Sequence, residues 1–408
     1  MKLNNKLKIL NDPIYGFITI PNELIFDVIQ HPYFQRLRRI SQMGLTYLVY
    51  PGAHHTRFHH ALGCMHLMSE AINVLRFKNI KISEDESTAL LLAILLHDIG
   101  HGPFSHAMEH SIVEGITHED ISLKFMNSLN DEFSGKLKLA IQIFKGDYHR
   151  NFFYQLISGQ LDMDRADYLK RDSFYTGVAE GNVNSERIIT MLNVVNDELV
   201  IEEKGIYSVE KFLLARRLMY WQVYLHKTSL VAESLLVRVL KRAKELVHQG
   251  IKVEASKPFD YFLKHQIDDV NFSKNDLEIF SKLDDYDIVS AMKSWMNHSD
   301  IVLSNLSKMI INRDLLKIKL DKEPISSLSF NKLQKKIKEN YKLTNTEVDY
   351  FVFKSSVSNQ AYNAEESGIK ILLKNNEVID VAEASDHLNL KALSMPVKKY
   401  FVCYPKDN

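Results

Sequence analysis

Hydrophobic and polar positions divide this chain into a long helical stretch and a shorter mixed one. After the turn-forming run Asp12-Pro13-Ile14-Tyr15-Gly16, Ile18 and Ile20 alternate with polar or small neighbours, so residues 8–20 are predicted to be extended. Asn22 can cap a helix whose apolar face carries Leu24, Ile25, Val28 and Ile29. Pro32 interrupts it, and the period resumes through Phe34, Leu37 and Ile40. Pro51-Gly52 marks a turn, and a helix is predicted from about Arg57 to Leu75. Ser83-Glu84-Asp85-Glu86 is a capping box that opens the helix Thr88–Leu96. That segment is apolar almost all round, which places it at the centre of a bundle, and Gly100 and Gly102-Pro103 end it. Helical periodicity continues through 119–129, 136–145, 150–172, 186–195 and 208–249.

Past about residue 320 the period changes. Asn331–Tyr341 has the pattern of a surface helix. Tyr350–Ser355, Ile369–Leu373, Val378–Val381 and Lys399–Tyr404 alternate like strands, with Asn375-Asn376 as a hairpin turn. There is no internal repeat and no low-complexity linker. The expectation is a mainly α protein, with a helical body over residues 1–320 and a smaller C-terminal α+β lobe over residues 321–408.

Composition narrows the function classes. At 408 residues, with 45% hydrophobic and 25% charged residues, the chain has ordinary globular make-up. Lys+Arg and Asp+Glu both number 51, so no global field drives it onto nucleic acid or anionic lipid. Two cysteines, Cys64 and Cys403, lie far apart without metal-type spacing, which fits a reducing cytoplasm. The first residues lack an apolar signal region, and the run Ala89–Leu96 is far shorter than the roughly 20 residues a membrane span needs. A soluble cytoplasmic protein without membrane or nucleic-acid partners is expected.

The histidines are unevenly spread, with ten of 17 between His54 and His118. Imidazole is the commonest metal ligand and titrates near neutral pH. His97-Asp98 stands at the end of the apolar helix, where an ionisable pair is costly unless it is paired or metal-bound. Taken alone, the dipeptide is equally a satisfied His–Asp hydrogen bond. Upstream lies Arg57-Phe58-His59-His60 at a helix start. Downstream lie His101-Gly102-Pro103-Phe104-Ser105-His106 and His118-Glu119, and further on Leu161-Asp162-Met163-Asp164-Arg165-Ala166-Asp167-Tyr168. On a helix Asp164, Tyr168 and Asp172 share one face, with Asp162 pointing roughly opposite.

With His60, His97-Asp98 and Asp164 in this order, and Asn11-Asp12-Pro13-Ile14 and Phe34-Gln35-Arg36-Leu37-Arg38 upstream, the chain resembles the HD-domain deoxynucleoside triphosphate triphosphohydrolases over roughly residues 8–230. The resemblance implies a helical HD-domain body that hydrolyses dNTPs to deoxynucleoside and triphosphate. It implies His60, His97, Asp98 and Asp164 as ligands of a divalent ion, with Mn, Mg, Fe, Zn and Ni all open. Arg57, Arg165 and Arg216 match phosphate-binding positions; Gln42, Tyr168, Asp172 and Tyr224 match residues that hold the deoxyribose. His106, oriented by Glu109, is expected to donate the proton to the leaving group while His118 bonds the α-phosphate; the reverse assignment is the alternative. The animal relative has aspartate where Glu109 stands. His101 either bonds phosphate or shapes its turn. His59 is expected to be a spectator, Asp162 and Asp167 to be surface or supporting carboxylates, and His54, His55 and His66 to be structural.

Animal relatives of this kind bind an activating nucleotide between subunits, and Lys8, Asn11, Gln35 and Arg38 match positions used there. Gln30 replaces the carboxylate that reads guanine, which argues against a strict guanine activator. A homo-oligomer, dimer or tetramer, is expected. The competing functions are an HD hydrolase of another nucleotide (a monophosphate, cyclic nucleotide or alarmone) and a nucleotide sensor or nucleic-acid binder without turnover.

Overall fold

The computed structural model describes residues 8–104, 112–113, 115–363, 368–385 and 395–406. Two strands open the chain, β1 (Lys8–Asp12) and β2 (Gly16–Ile20), paired antiparallel with Asp12 opposite Gly16. Gly16 takes φ +74°, a left-handed conformation glycine adopts without strain. Helix α1 (Glu23–Gln30) follows, with the Asn22 side chain accepting from the Ile25 amide at 2.9 Å.

Two long helices then form the centre, α2 (Arg57–Phe77) and α3 (Glu84–Leu96). The capping box at Ser83 forms as its spacing requires: the Glu86 carboxylate accepts from the Ser83 amide at 2.8 Å and the Ser83 hydroxyl from the Glu86 amide at 3.2 Å. Leu90 and Leu92 to Leu96 are fully enclosed, so a helix apolar on every side does sit inside the bundle. It packs between α2 and α5 (Lys138–Phe144); α4 (His118–Glu132) lies between α3 and α5 in the chain.

Three predicted helices are broken by local chemistry. Residues 150–172 form α6 (Asn151–Ile157) and α7 (Met163–Thr176), because Asp162 caps α7 by accepting from the Arg165 amide at 2.7 Å. The helix predicted for 186–195 stops at Thr190 as α8 (Ser185–Thr190). It gives way to the hairpin β3 (Leu192–Val195) and β4 (Glu198–Glu202), turning at Asn196-Asp197 with φ +50° and +65°. That Asn-Asp pair between apolar runs was the legible sign of a hairpin. The predicted helix 208–249 becomes α9 (Ile206–Met219) and α10 (Lys227–His248), separated by a single π turn at Tyr220–Tyr224. Such turns insert an extra residue and often mark functional sites.

Helices α11 (Lys257–Lys264), α12 (Lys274–Phe280), α13 (Asp285–Trp295) and α14 (Ile301–Ile311) complete the body. Asp285, in the first turn of α13, accepts from the Ser41 and Phe104 amides at 2.8 Å each. Fully buried Arg36 donates to the Ile99 carbonyl at 2.7 Å from between the rings of Phe125 and Phe280. Together these contacts pin the turn that follows His97-Asp98.

The C-terminal lobe mixes helix and strand: β5 (Lys317–Asp321), α15 (Ser327–Tyr341), α16 (Asn345–Phe351), β6 (Phe353–Asn359), β7 (Lys370–Leu372), β8 (Val378–Asp380) and β9 (Val397–Tyr404). Tyr350 and Phe351 end α16 instead of opening a strand, because Thr344 and Glu347 cap that helix reciprocally. β9 lies between β5 and β6, both antiparallel to it, whereas β7 joins β4 in parallel and extends the hairpin of the body. The protein is thus mainly α, with a helical body and a smaller α+β lobe. Among the described residues, no helix is long and apolar enough to cross a membrane.

Candidate metal centre

Three elements deliver the histidine and aspartate side chains. The first turn of α2 carries Arg57 and His60, the end of α3 carries His97 and Asp98, and α7 carries Asp164, Tyr168 and Asp172 one turn apart. His60 Nε2 lies 3.0 Å from Asp164 Oδ1 and 3.6 Å from Asp98 Oδ2; His97 Nε2 lies 3.4 Å from Asp98 Oδ1 and 3.6 Å from Asp164 Oδ1. The four residues implied by the H…HD…D pattern therefore meet, although the last is distant in the chain from the first three.

Hydrogen bonding fixes how they meet. His60 Nδ1–H donates to Asp167 Oδ2 at 2.8 Å, and His97 Nδ1–H donates to the Ile94 carbonyl at 2.6 Å. Both Nε2 atoms are then left to face the carboxylates as lone pairs, the tautomer a metal ligand requires. His97 Nε2 is buried without a hydrogen-bond partner. A lone pair 3.0 Å from a carboxylate oxygen is stable only with a proton or cation between them. Two imidazoles and two carboxylates so arranged fit a divalent ion. Cys64 Sγ also lies within 4.8 Å of the His60, His97 and Asp164 donors. It stands 3.5 and 3.6 Å from the two ring nitrogens of His60, over the ring and off the axis of the Nε2 lone pair. Burial pushes its thiol pKa well above the usual range, so it packs as a small apolar group.

Burial alone would raise the Asp98 and Asp164 pKa values. The imidazoles outweigh it, joined at Asp98 by Arg57, and hold both carboxyls well below the usual range. Arg57 Nη1 bonds Asp98 Oδ2 directly. His101 Nε2 is 3.3 Å from Asp98 Oδ1, and its ring stacks on His118 with centroids 3.9 Å apart at 18°. Asp98, His101 and His118 make a second group of donor atoms within 4.8 Å. In that stack His101 Nε2 faces Asp98, and His118 Nε2 lies 3.2 Å from Glu119 Oε1. Burial and then Arg57 hold the His101 pKa well below the usual histidine value.

On the other flank, Tyr224 Oη donates to Asp172 Oδ2 at 2.7 Å, and the Tyr168 and Tyr224 rings stand 6.0 Å apart. Burial raises both phenol pKa values well above the usual range, so both stay protonated donors. Gln42 Oε1 is buried without a hydrogen-bond partner, as are Nε and Nη1 of Arg216, whose charge reaches Tyr168. Arg165 is partly engaged: its Nη1 bonds Asp162 Oδ2 and the Gly159 carbonyl. His106 and Glu109 lie outside the described residues.

Between the surface and supporting alternatives for Asp162 and Asp167, the structure decides for the second. Asp162 is not on the helix surface: it is fully buried as the cap of α7, where burial, opposed by Arg165, pushes its pKa up to about 6. Asp167 is also fully buried, against His60. His55 has a partner the sequence did not reveal, its Nε2–H donating to Asp172 Oδ1 at 2.7 Å beneath the stacked ring of Tyr175. His59 Nδ1 accepts from the Thr56 amide at 3.2 Å, a capping contact away from the cluster.

Comparison with known proteins gives the family. The HD domain family model matches residues 57–172, and that of the HD associated region matches residues 183–260. A crystal structure of a phosphohydrolase from Bacteroides thetaiotaomicron is 52% identical with a TM-score of 0.95, covering 98% of this chain and all of that one. The uncharacterized protein YwfO of Bacillus subtilis is 35% identical over 322 residues, 76% of this chain and 72% of that protein. The deoxynucleoside triphosphate triphosphohydrolase SAMHD1 homolog of Dictyostelium discoideum is 31% identical over 271 residues; the match takes in 62% of this chain but only 52% of that protein's length. The chain belongs to the HD-domain phosphohydrolase family, whose members include dNTP triphosphohydrolases of this kind.

Proposed function

We propose that this HD-domain hydrolase cleaves deoxynucleoside triphosphates at the α-phosphate, releasing deoxynucleoside and triphosphate. One observation carries the reading. Buried polar groups without partners are uncommon in folded proteins; among those here are His97 Nε2 in the cluster, Gln42 Oε1, on a residue whose backbone amide bonds the His55 carbonyl, and two nitrogens of Arg216, whose charge reaches Tyr168. An acceptor for a sugar hydroxyl, a lone pair for a cation and a guanidinium for an anion describe a nucleoside polyphosphate with its metal.

In this reading His60, His97, Asp98 and Asp164 hold the divalent ion. When bound, that ion acidifies water and polarises the phosphoryl group for attack. Arg57, Arg165 and Arg216 carry the triphosphate charge, and His118 bonds the α-phosphate, with His101 stacked on it and either sharing that role or shaping its turn. Tyr168 packs against the sugar, with Gln42, Asp172 and Tyr224 at its 3′-hydroxyl. His106, oriented by Glu109, protonates the departing 5′-oxygen. Imidazole suits that step because its pKa lies near the working pH.

The similarity to triphosphohydrolases supports the substrate class, and so does the direct pairing of Tyr224 with Asp172. A cytoplasmic homo-oligomer, dimer or tetramer, with a nucleotide bound near Lys8, Asn11, Gln35 and Arg38 completes the reading. So does division of the chain into a body and a C-terminal lobe, with the expected boundary at 320/321 drawn back to the start of β5 at Lys317, since that strand pairs with β9.

The test is direct. Metal-loaded protein is incubated with each dNTP, alone and in pairs, and the products are resolved. Triphosphate with deoxynucleoside supports the proposal, and Asp164→Asn should abolish both turnover and bound metal. Release of pyrophosphate or inorganic phosphate, or turnover only of a monophosphate, cyclic nucleotide or alarmone, would overturn it.

A further inference from the structure

An unbroken line of buried charged side chains joins the β1–β2 turn to the candidate metal centre. His60 Nδ1–H donates to Asp167 Oδ2. Arg171 grips both oxygens of that carboxylate, Nε to Oδ2 at 2.9 Å and Nη2 to Oδ1 at 3.0 Å, while its Nη1 donates to Asp12 Oδ2 at 2.7 Å. Asp12 Oδ1 in turn accepts the Ile14 and Tyr15 amides at 2.9 and 3.0 Å, which makes the turn itself the anchor. His60, Asp167 and Arg171 are fully buried and Asp12 nearly so. Gly63, three residues after His60 on α2, leaves the space that Asp167 and Arg171 occupy.

We propose that Asp167, Arg171 and Asp12 are positioning residues for His60, so that the N-terminal β-hairpin sets the metal affinity of the centre. This rests on His60 being a ligand. An imidazole keeps one tautomer and one ring angle only while its far nitrogen is held. Asp167 can hold it because a two-point guanidinium grip removes the carboxylate's rotation. The guanidinium is oriented from its other side by Asp12. The three inner links are fully enclosed and water cannot replace a partner lost among them, so weakening the outermost contact is felt at His60.

The full-length protein is stripped of metal and titrated with Mn²⁺ against a competing chelator, with bound Mn²⁺ followed by electron paramagnetic resonance. Asp167→Asn is expected to weaken binding about 10- to 100-fold, and Asp12→Asn about 10-fold, with far-ultraviolet circular dichroism unchanged. Saturating Mn²⁺ should return the Asp12→Asn variant to within about threefold of wild-type kcat, which a general loss of structure would not allow. Arg171→Lys, which keeps the charge but not the fork, is the second variant should Asp12→Asn fail to fold. Wild-type Mn²⁺ affinity in either variant overturns the proposal. Wild-type protein that binds none of Mn²⁺, Fe²⁺, Ni²⁺ and Zn²⁺ overturns instead the reading of His60 as a ligand, and this inference with it.

Discussion

His55 donates from Nε2 to Asp172 Oδ1 at 2.7 Å, and both side chains are almost completely buried. With Tyr224 on the other oxygen, the Asp172 carboxylate is held at both ends by partners from separate parts of the chain. A carboxylate so clamped presents one orientation to whatever binds beside Tyr168.

Removing that clamp should show in recognition before chemistry. His55→Ala is expected to raise KM for dNTPs about tenfold with kcat within about threefold, the signature of lost uniform binding. Leaving a buried carboxylate oxygen unpaired should also cost about 1–3 kcal/mol in urea unfolding. Unchanged KM together with unchanged stability would show that Asp172 needs no such support.

Arg216 tests the phosphate side. Its unpartnered buried nitrogens should form charge-assisted bonds to a polyphosphate. Arg216→Met is expected to raise the inhibition constant of inorganic triphosphate about 10- to 100-fold, equivalent to roughly 1.5–3 kcal/mol. An inhibition constant equal to wild type would place the anion elsewhere.

Asp285 predicts a pH dependence. Burial pushes its pKa up to about 6, although the Ser41 and Phe104 amides pull the other way. The folded state therefore holds the proton more tightly than the unfolded chain, whose aspartates titrate near 3.9. Its contribution to stability is greatest below about pH 4 and declines as pH rises towards 6, by roughly 3 kcal/mol at most. Denaturant unfolding between pH 4 and 7 should show this decline in wild type, and a flatter profile in Asp285→Asn.

Gly63 gives a prediction of opposite sign to the usual one. Glycine to alanine inside a helix ordinarily stabilises by about 1 kcal/mol. Here the added methyl group would meet the Asp167 carboxylate and the Arg171 guanidinium. Gly63→Ala is expected to destabilise by about 1–3 kcal/mol, read by thermal unfolding. A stabilised variant would mean that the Asp167–Arg171 pair yields easily.

How far the sequence could be followed depended on the range of each interaction. The Ser83 capping box, the buried character of α3 and the shared face of Asp164, Tyr168 and Asp172 were all legible, because caps and helical periods involve residues three or four apart. The π turn at Tyr220–Tyr224 and the break at Asp162 were not. There the periodic pattern ran on while a single capping carboxylate or an inserted residue redirected the chain.

By itself, the sequence determined which residue types were available for the chemistry, the helices that carry them and the family they mark. Only the tertiary structure decided the supporting partners. His60 meets Asp167 across 107 positions, His55 meets Asp172 across 117, and Arg171 meets Asp12 across 159. No period links residues so far apart. Such pairs form because packing closes these helices over buried charges, and a buried charge takes whichever opposite partner the fold brings within reach.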